Sequence, residues 1–107
     1  MTGRRKPTIQ QVEPHPELCA AGFRPELGGE WIDPASGEAV PLRDARYRVR
    51  LRFAVRTLAE YGWRPVDGRR IGTDGWVYVR WFVGPDGQRR GLRGALRESG
   101  LPAGLLP

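Results

Sequence analysis

Glycine and proline constrain this chain more than any other residue types: fifteen glycines and ten prolines fall within 107 residues. Glycine opens left-handed backbone conformations, and proline lacks the amide that helix and sheet interiors need. A large share of the chain must therefore be turn and loop, with regular elements between the breaks. The length suits one domain rather than two ordinary ones. A domain of this size buries upward of about 60% of the surface its unfolded chain exposes, enough to fold without covalent staples. None is available within the chain, because Cys19 is the only cysteine and one cysteine forms no intramolecular disulfide. The expected organisation is a flexible basic N-terminus over 1–8, a single domain over 9–102 and a flexible tail over 103–107.

The first part of that domain is irregular. Pro14, Pro16 and Pro25 punctuate it, and Leu18, Cys19, Ala20, Ala21 and Phe23 form a small apolar patch suited to one helical turn ended by Gly22. Glu30-Trp31-Ile32 and Glu38-Ala39-Val40 flank Asp33-Pro34-Ala35-Ser36-Gly37. Proline after aspartate presets a turn and Gly37 supplies a positive φ at the return, so this reads as a β-hairpin.

Residues 46–56 carry two patterns at once. Their basic and apolar side chains alternate as in a strand. Over a longer window Tyr47, Leu51, Ala54, Leu58 and Tyr61 recur every three or four residues, one face of a helix. Asp44 can cap its start and Gly62 can take the left-handed position past its end. Arginine and leucine favour helix as well, and the reading adopted is a helix over about 44–61. On it Val49 and Phe53 project opposite the apolar stripe, where either the N-terminal segment covers them or they form a partner surface. Arg48, Arg52 and Arg56 make a third row.

Beyond Gly62 the pattern changes to strands. Trp63 to Val66 is a short edge strand, Asp67-Gly68 a turn, and Arg69 to Ile71 a segment able to pair back. A second turn at Thr73-Asp74-Gly75 leads into Trp76–Val83, whose aromatic and β-branched residues make it the clearest strand of the chain. Alternation assigns Val77, Val79, Trp81 and Val83 to one face, and Trp76, Tyr78, Arg80 and Phe82 to the other. Gly84-Pro85-Asp86-Gly87 turns the chain into an exit strand over Gln88–Arg90, and a short helix follows over about 91–99. The fold class is thus α+β: an N-terminal β-hairpin, one long helix, a small antiparallel sheet centred on strand 76–83, and a short C-terminal helix. The stripe Tyr47/Leu51/Ala54/Leu58 is expected to pack against Val77, Val79, Trp81 and Val83. Each such burial is worth about 1.5–3 kcal/mol, so Leu51→Ala and Trp81→Ala are expected to destabilise the domain.

Function must be sought in charge. Net charge is +6, and Lys6 is the only lysine among 18 basic residues. Codon usage in a GC-rich genome can set the arginine-to-lysine ratio, but the positive excess itself favours polyanionic partners, nucleic acid foremost. Arg90, Arg93 and Arg97 form a row beside Leu92 and Leu96, with Arg89 just before it. Glu98 is the only acid after residue 87, and an unbalanced row suits phosphate contact. Arg69, Arg70 and Arg80 are candidate helpers, and Tyr78 or Phe82 would stack on bases if their face is open. The rival reading is an accessory or inhibitor protein that meets another protein through exposed aromatics or the Val49/Phe53 side.

Chemistry is poorly supported. His15, the only histidine, sits between two prolines, and nothing near it would orient a base for Cys19. One histidine and one cysteine cannot supply a four-ligand zinc site. Asp67, Asp74 and Asp86 each precede glycine in turns, and Gly91-Leu92-Arg93-Gly94 lacks the Lys-Ser/Thr of a phosphate loop. No catalytic residue, metal or cofactor is therefore assigned, and a small nuclease ranks third. No apolar run approaches the roughly 18 residues of a membrane span, and no secretory signal follows the basic start; a cytoplasmic location is expected. The order Gly62-Trp63, Val77-Tyr78, Pro85-Asp86-Gly87-Gln88-Arg89 and a short helix resembles, over about 40 residues, the layout of small sheet-plus-helix DNA readers such as methyl-CpG-binding domains. That resemblance implies DNA binding and carries over no base-reading residue.

Overall fold

The computed structural model describes residues 15–106, so the expected basic N-terminus over 1–8 lies outside the described residues. Helix α1 (Pro16–Ala20) opens on a proline, which needs no amide in a first turn. Gly22, at φ 90°, turns the chain out of it. Three two-residue strands follow, β1 (Arg24–Pro25), β2 (Trp31–Ile32) and β3 (Ala39–Val40), antiparallel in the order β1-β2-β3. The β2–β3 hairpin is the one its turn residues predict. Asp33 N–H donates to Glu38 O at 2.8 Å, and Gly37, at φ 75°, donates its N–H to Asp33 O at 2.7 Å.

Helix α2 (Leu42–Ala59) resolves the ambiguous segment as helix. It begins after Pro41, and Asp44 lies in the first turn without capping it, so the expected cap is corrected. There the carboxylate still faces the positive end of the helix dipole. At the other end Gly62 sits at φ 87° and Trp63 N–H donates to Leu58 O at 3.0 Å, the long bond of a Schellman closure.

One helix serves two cores. Ala45 and Val49 join Leu18, Phe23, Trp31 and Val40 in the first; Leu51 and Leu58 join Trp63, Phe82, Ala95 and Leu96 in the second. Val49 and Leu51 point about 160° apart at 3.6 residues per turn. The two opposed apolar stripes of the sequence are therefore both buried, on different neighbours. Tyr47 and Tyr61, expected within the core stripe, are instead 40% and 46% exposed.

The second sheet contains β4 (Arg64–Ile71), β5 (Gly75–Val83) and β6 (Arg89–Arg90), antiparallel in the order β4-β5-β6. Asp67-Gly68 does not turn the chain as expected. β4 runs straight through both residues, with Asp67 at φ 56° and Gly68 opposite Val79. Aspartate tolerates that left-handed conformation better than most residues. The register then shifts between Arg69 and Arg70, because Tyr78 opposes Arg69 while Trp76 opposes Arg70 and leaves Val77 as the extra residue of a bulge.

Those two irregularities overturn the simple alternation of β5. Trp76, Val79 and Phe82 reach the second core, a spacing of three that a regular strand cannot present on one face. The bulge at Val77 brings Trp76 to the side of Val79, and the change between Val79 and Phe82 coincides with Asp67. Trp81 is consequently left half-buried outside the core that the sequence assigns to it. Helix α3 (Leu92–Glu98) covers Phe82 with Ala95 and Leu96. Past Pro102 a 3-10 turn (Ala103–Leu105) forms, and Leu101 and Leu106 pack against the second core.

Candidate functional site

β5 and β6 place the candidate side chains. β6 pairs only with the end of β5, Arg89 opposite Val83 and Arg90 opposite Phe82. Within this corner the guanidiniums of Arg80 and Arg89 both lie over the Trp81 ring, at 5.7 and 5.4 Å from its centroid. Arg70 lies 5.3 Å from the Trp76 centroid, and its Nη1 donates to Thr73 O at 3.2 Å. Arg69 is exposed opposite Tyr78, itself 49% exposed. A guanidinium over an indole is held by the ring quadrupole while its N–H groups remain available at the edges. The arrangement thus presents aromatic surface and phosphate-binding forks together.

The remaining candidates divide. Arg93 and Arg97 are exposed on α3 beside Leu96 and Leu101. Arg90 is engaged: its Nε donates to Glu98, and its Nη1 donates to Arg89 O at 2.8 Å. The hydrogen bond from Arg90, with a second from Gln88, draws the Glu98 carboxyl below its ordinary pKa. The single acid of the C-terminal segment therefore balances Arg90 and leaves Arg89, Arg93 and Arg97 without an ion pair among the described residues. Arg80 makes one long contact, 3.9 Å to Asp67.

Two sequence candidates are not available to a ligand. Phe82 is 1% exposed, because Leu51, Leu58, Ala95 and Leu96 close over it; its stacking role is withdrawn, and Tyr78 is the stacking candidate that stays exposed. Val49 is 7% exposed, since the first core covers it. Phe53 remains half-buried in a groove with Ala20, Ala21, Phe23 and Arg56. Trp81 escaped the sequence reading because alternation put it in the core. The available signal was its place directly after Arg80 on a strand that pairs with a double-arginine strand.

A second constellation has a structural role. Asp33 is completely buried, and its carboxylate accepts from Arg48 Nη1 at 2.7 Å and from Arg52 Nη1 and Nη2 at 2.9 and 2.8 Å. Arg48 Nη1 also reaches Glu38 Oε1 at 3.1 Å, and Arg52 Nε donates to Trp76 O at 3.0 Å. Burial pushes the Asp33 pKa up, but hydrogen bonds from Arg52, the Ala35 amide and Arg48 outweigh it and hold the carboxyl at about 2. The network ties the hairpin turn to α2 and to β5. Two members of the expected arginine row are thus internal.

Among the described residues no three His, Cys, Asp or Glu side chains converge as metal ligands would, and no helix is long and apolar enough to cross a membrane. No family model, curated protein or solved structure matches this chain.

Proposed function

We propose that the protein is a non-enzymatic, cytoplasmic nucleic-acid-binding protein. It holds the phosphate backbone with Arg69, Arg80, Arg89, Arg93 and Arg97, two of them braced on Trp81, and offers Tyr78 to bases. The observation that carries this reading is the pair of guanidiniums over Trp81, beside an exposed tyrosine, with Arg69, Arg89, Arg93 and Arg97 in no ion pair among the described residues and Arg80 3.9 Å from Asp67. Stacking on such rings is indifferent to base identity, and arginine forks bind phosphate oxygens two at a time.

Titration of labelled DNA and RNA oligonucleotides across salt concentrations tests the proposal. Binding should weaken linearly in log K against log salt. Arg89→Ala with Arg93→Ala should flatten that slope by about 0.7–0.9 per lost phosphate contact. Absence of binding to every oligonucleotide at about 50 mM salt, where electrostatic contacts are strong, would overturn it. The weight would then pass to the accessory-protein reading, which the half-buried Phe53 in its groove supports.

A further inference from the structure

Five of the six arginines of α2 sort into two sets, and Arg56 stands apart by the Phe53 groove. Arg48 and Arg52 turn inward and hold Asp33. Arg43, Arg46 and Arg50 turn outward, together with Tyr47, and line one shallow depression of the surface. Their only ion pair among the described residues is a 3.9 Å approach of Arg46 to Glu17, and Asp44 is the one acid in the first turn of the helix.

This outward set works against the helix that carries it. Arg43, a cation in the first turn, opposes the positive end of the macrodipole. Arg43 with Arg46, and Arg46 with Arg50, stand at the three- and four-residue spacings where like charges repel. The core gains nothing from these side chains themselves, which stay exposed, although Ala54 continues the Arg43/Tyr47/Arg50 side one turn further on, where the helix is covered. An arrangement that costs local stability without a packing gain belongs to an intermolecular contact.

We propose that the Arg43/Arg46/Arg50 face of α2 is a second phosphate-backbone contact, separate from the sheet and α3 surface. Seven residues of helix rise about 10 Å, enough to reach about two neighbouring phosphates of one strand, whose path between phosphates is longer than the roughly 3.4 Å rise along the axis. Three forks over this length can share such a short run of backbone, and the half-exposed Tyr47 adds an amphipathic ring among them. The inference rests on the nucleic-acid reading but concerns different residues, so the two can fail separately.

The test compares wild type with the Arg43→Gln/Arg46→Gln/Arg50→Gln variant. Melting is followed by circular dichroism, and oligonucleotide binding is measured across salt. The variant should melt at or above the wild-type temperature, because repulsion is relieved, while its log K–log salt slope on the oligonucleotide falls by about 1–2. An unchanged affinity and slope, in an assay where Arg89→Ala with Arg93→Ala weakens binding, would overturn this second contact and leave the proposed function standing. A lowered melting temperature with unchanged slope would assign the arginines to the fold and overturn it as well. Binding of wild type to polyglutamate but to no oligonucleotide would overturn both proposals.

Discussion

At the scale of single residues, Asp33 has the largest consequences. Its carboxylate has no exposure, accepts three guanidinium hydrogen bonds and makes a fourth, local one with the Ala35 amide at 2.8 Å. Removing it would strand two poorly solvated cations, which costs about 3–5 kcal/mol in buried pairs of this kind. Asp33→Ala should therefore lose that much in urea denaturation, whereas Glu38→Ala, whose side chain is 50% exposed, should lose no more than about 1 kcal/mol. A loss below about 1 kcal/mol for Asp33→Ala would show that the network does not hold the turn. Acid gives an independent reading. The folded pKa of about 2 lies below the ordinary 3.8, so the stabilisation, about 2 kcal/mol, is fully present above pH 4. It is lost as pH falls through about 2. Melting temperature measured from pH 5 to 2 should show this loss in wild type and lack it in Asp33→Asn.

At the scale of elements, most of what was legible in the sequence is local. The hairpin follows from Asp33-Pro34 and Gly37, the helical state and the end of α2 from its periodicity and Gly62, and α3 from Leu92, Leu96 and Gly100. Such signals need only the chain's own neighbours. The faces of β5 were not legible, because alternation holds only for an unbroken strand, and both the Val77 bulge and the left-handed Asp67 break it. Arg48 and Arg52 misled for a related reason. Arginines four apart read as a solvated row unless it is known that a buried carboxylate awaits them from a distant turn. Two opposed apolar stripes on α2 were visible, but they left open whether the N-terminal segment or a partner covers Val49 and Phe53. The corrected faces separate stability from binding. Phe82→Ala, within a closed core, should cost about 3–5 kcal/mol. Trp81→Ala should cost clearly less than that and weaken oligonucleotide binding instead. Denaturation and titration of the same two variants would decide; equal destabilisation would return Trp81 to the core.

At the scale of the molecule, the first core is the dependent one. Its sheet consists of three two-residue strands, and hairpins so short are not stable alone. It relies on α2, which the second core anchors through Leu51 and Leu58, and on the Asp33 network. It relies also on the start of β5, where Gly75 is buried and a Cβ would run into the Ile71 carbonyl and stand 2.7 Å from the Ala35 Cβ. Absence of a side chain at Gly75 thus lets the hairpin turn lie against the second sheet. Gly75→Val should force that contact apart. Overpacking of this kind costs about 1–3 kcal/mol, and the loss should fall unevenly because the added side chain meets the hairpin turn at Ala35 and the start of β5, away from Phe82. Hydrogen exchange followed by mass spectrometry should show protection lost across Trp31–Val40 while Val79–Phe82 stays protected. Uniform loss in both segments would mean that the two cores open only as one cooperative unit.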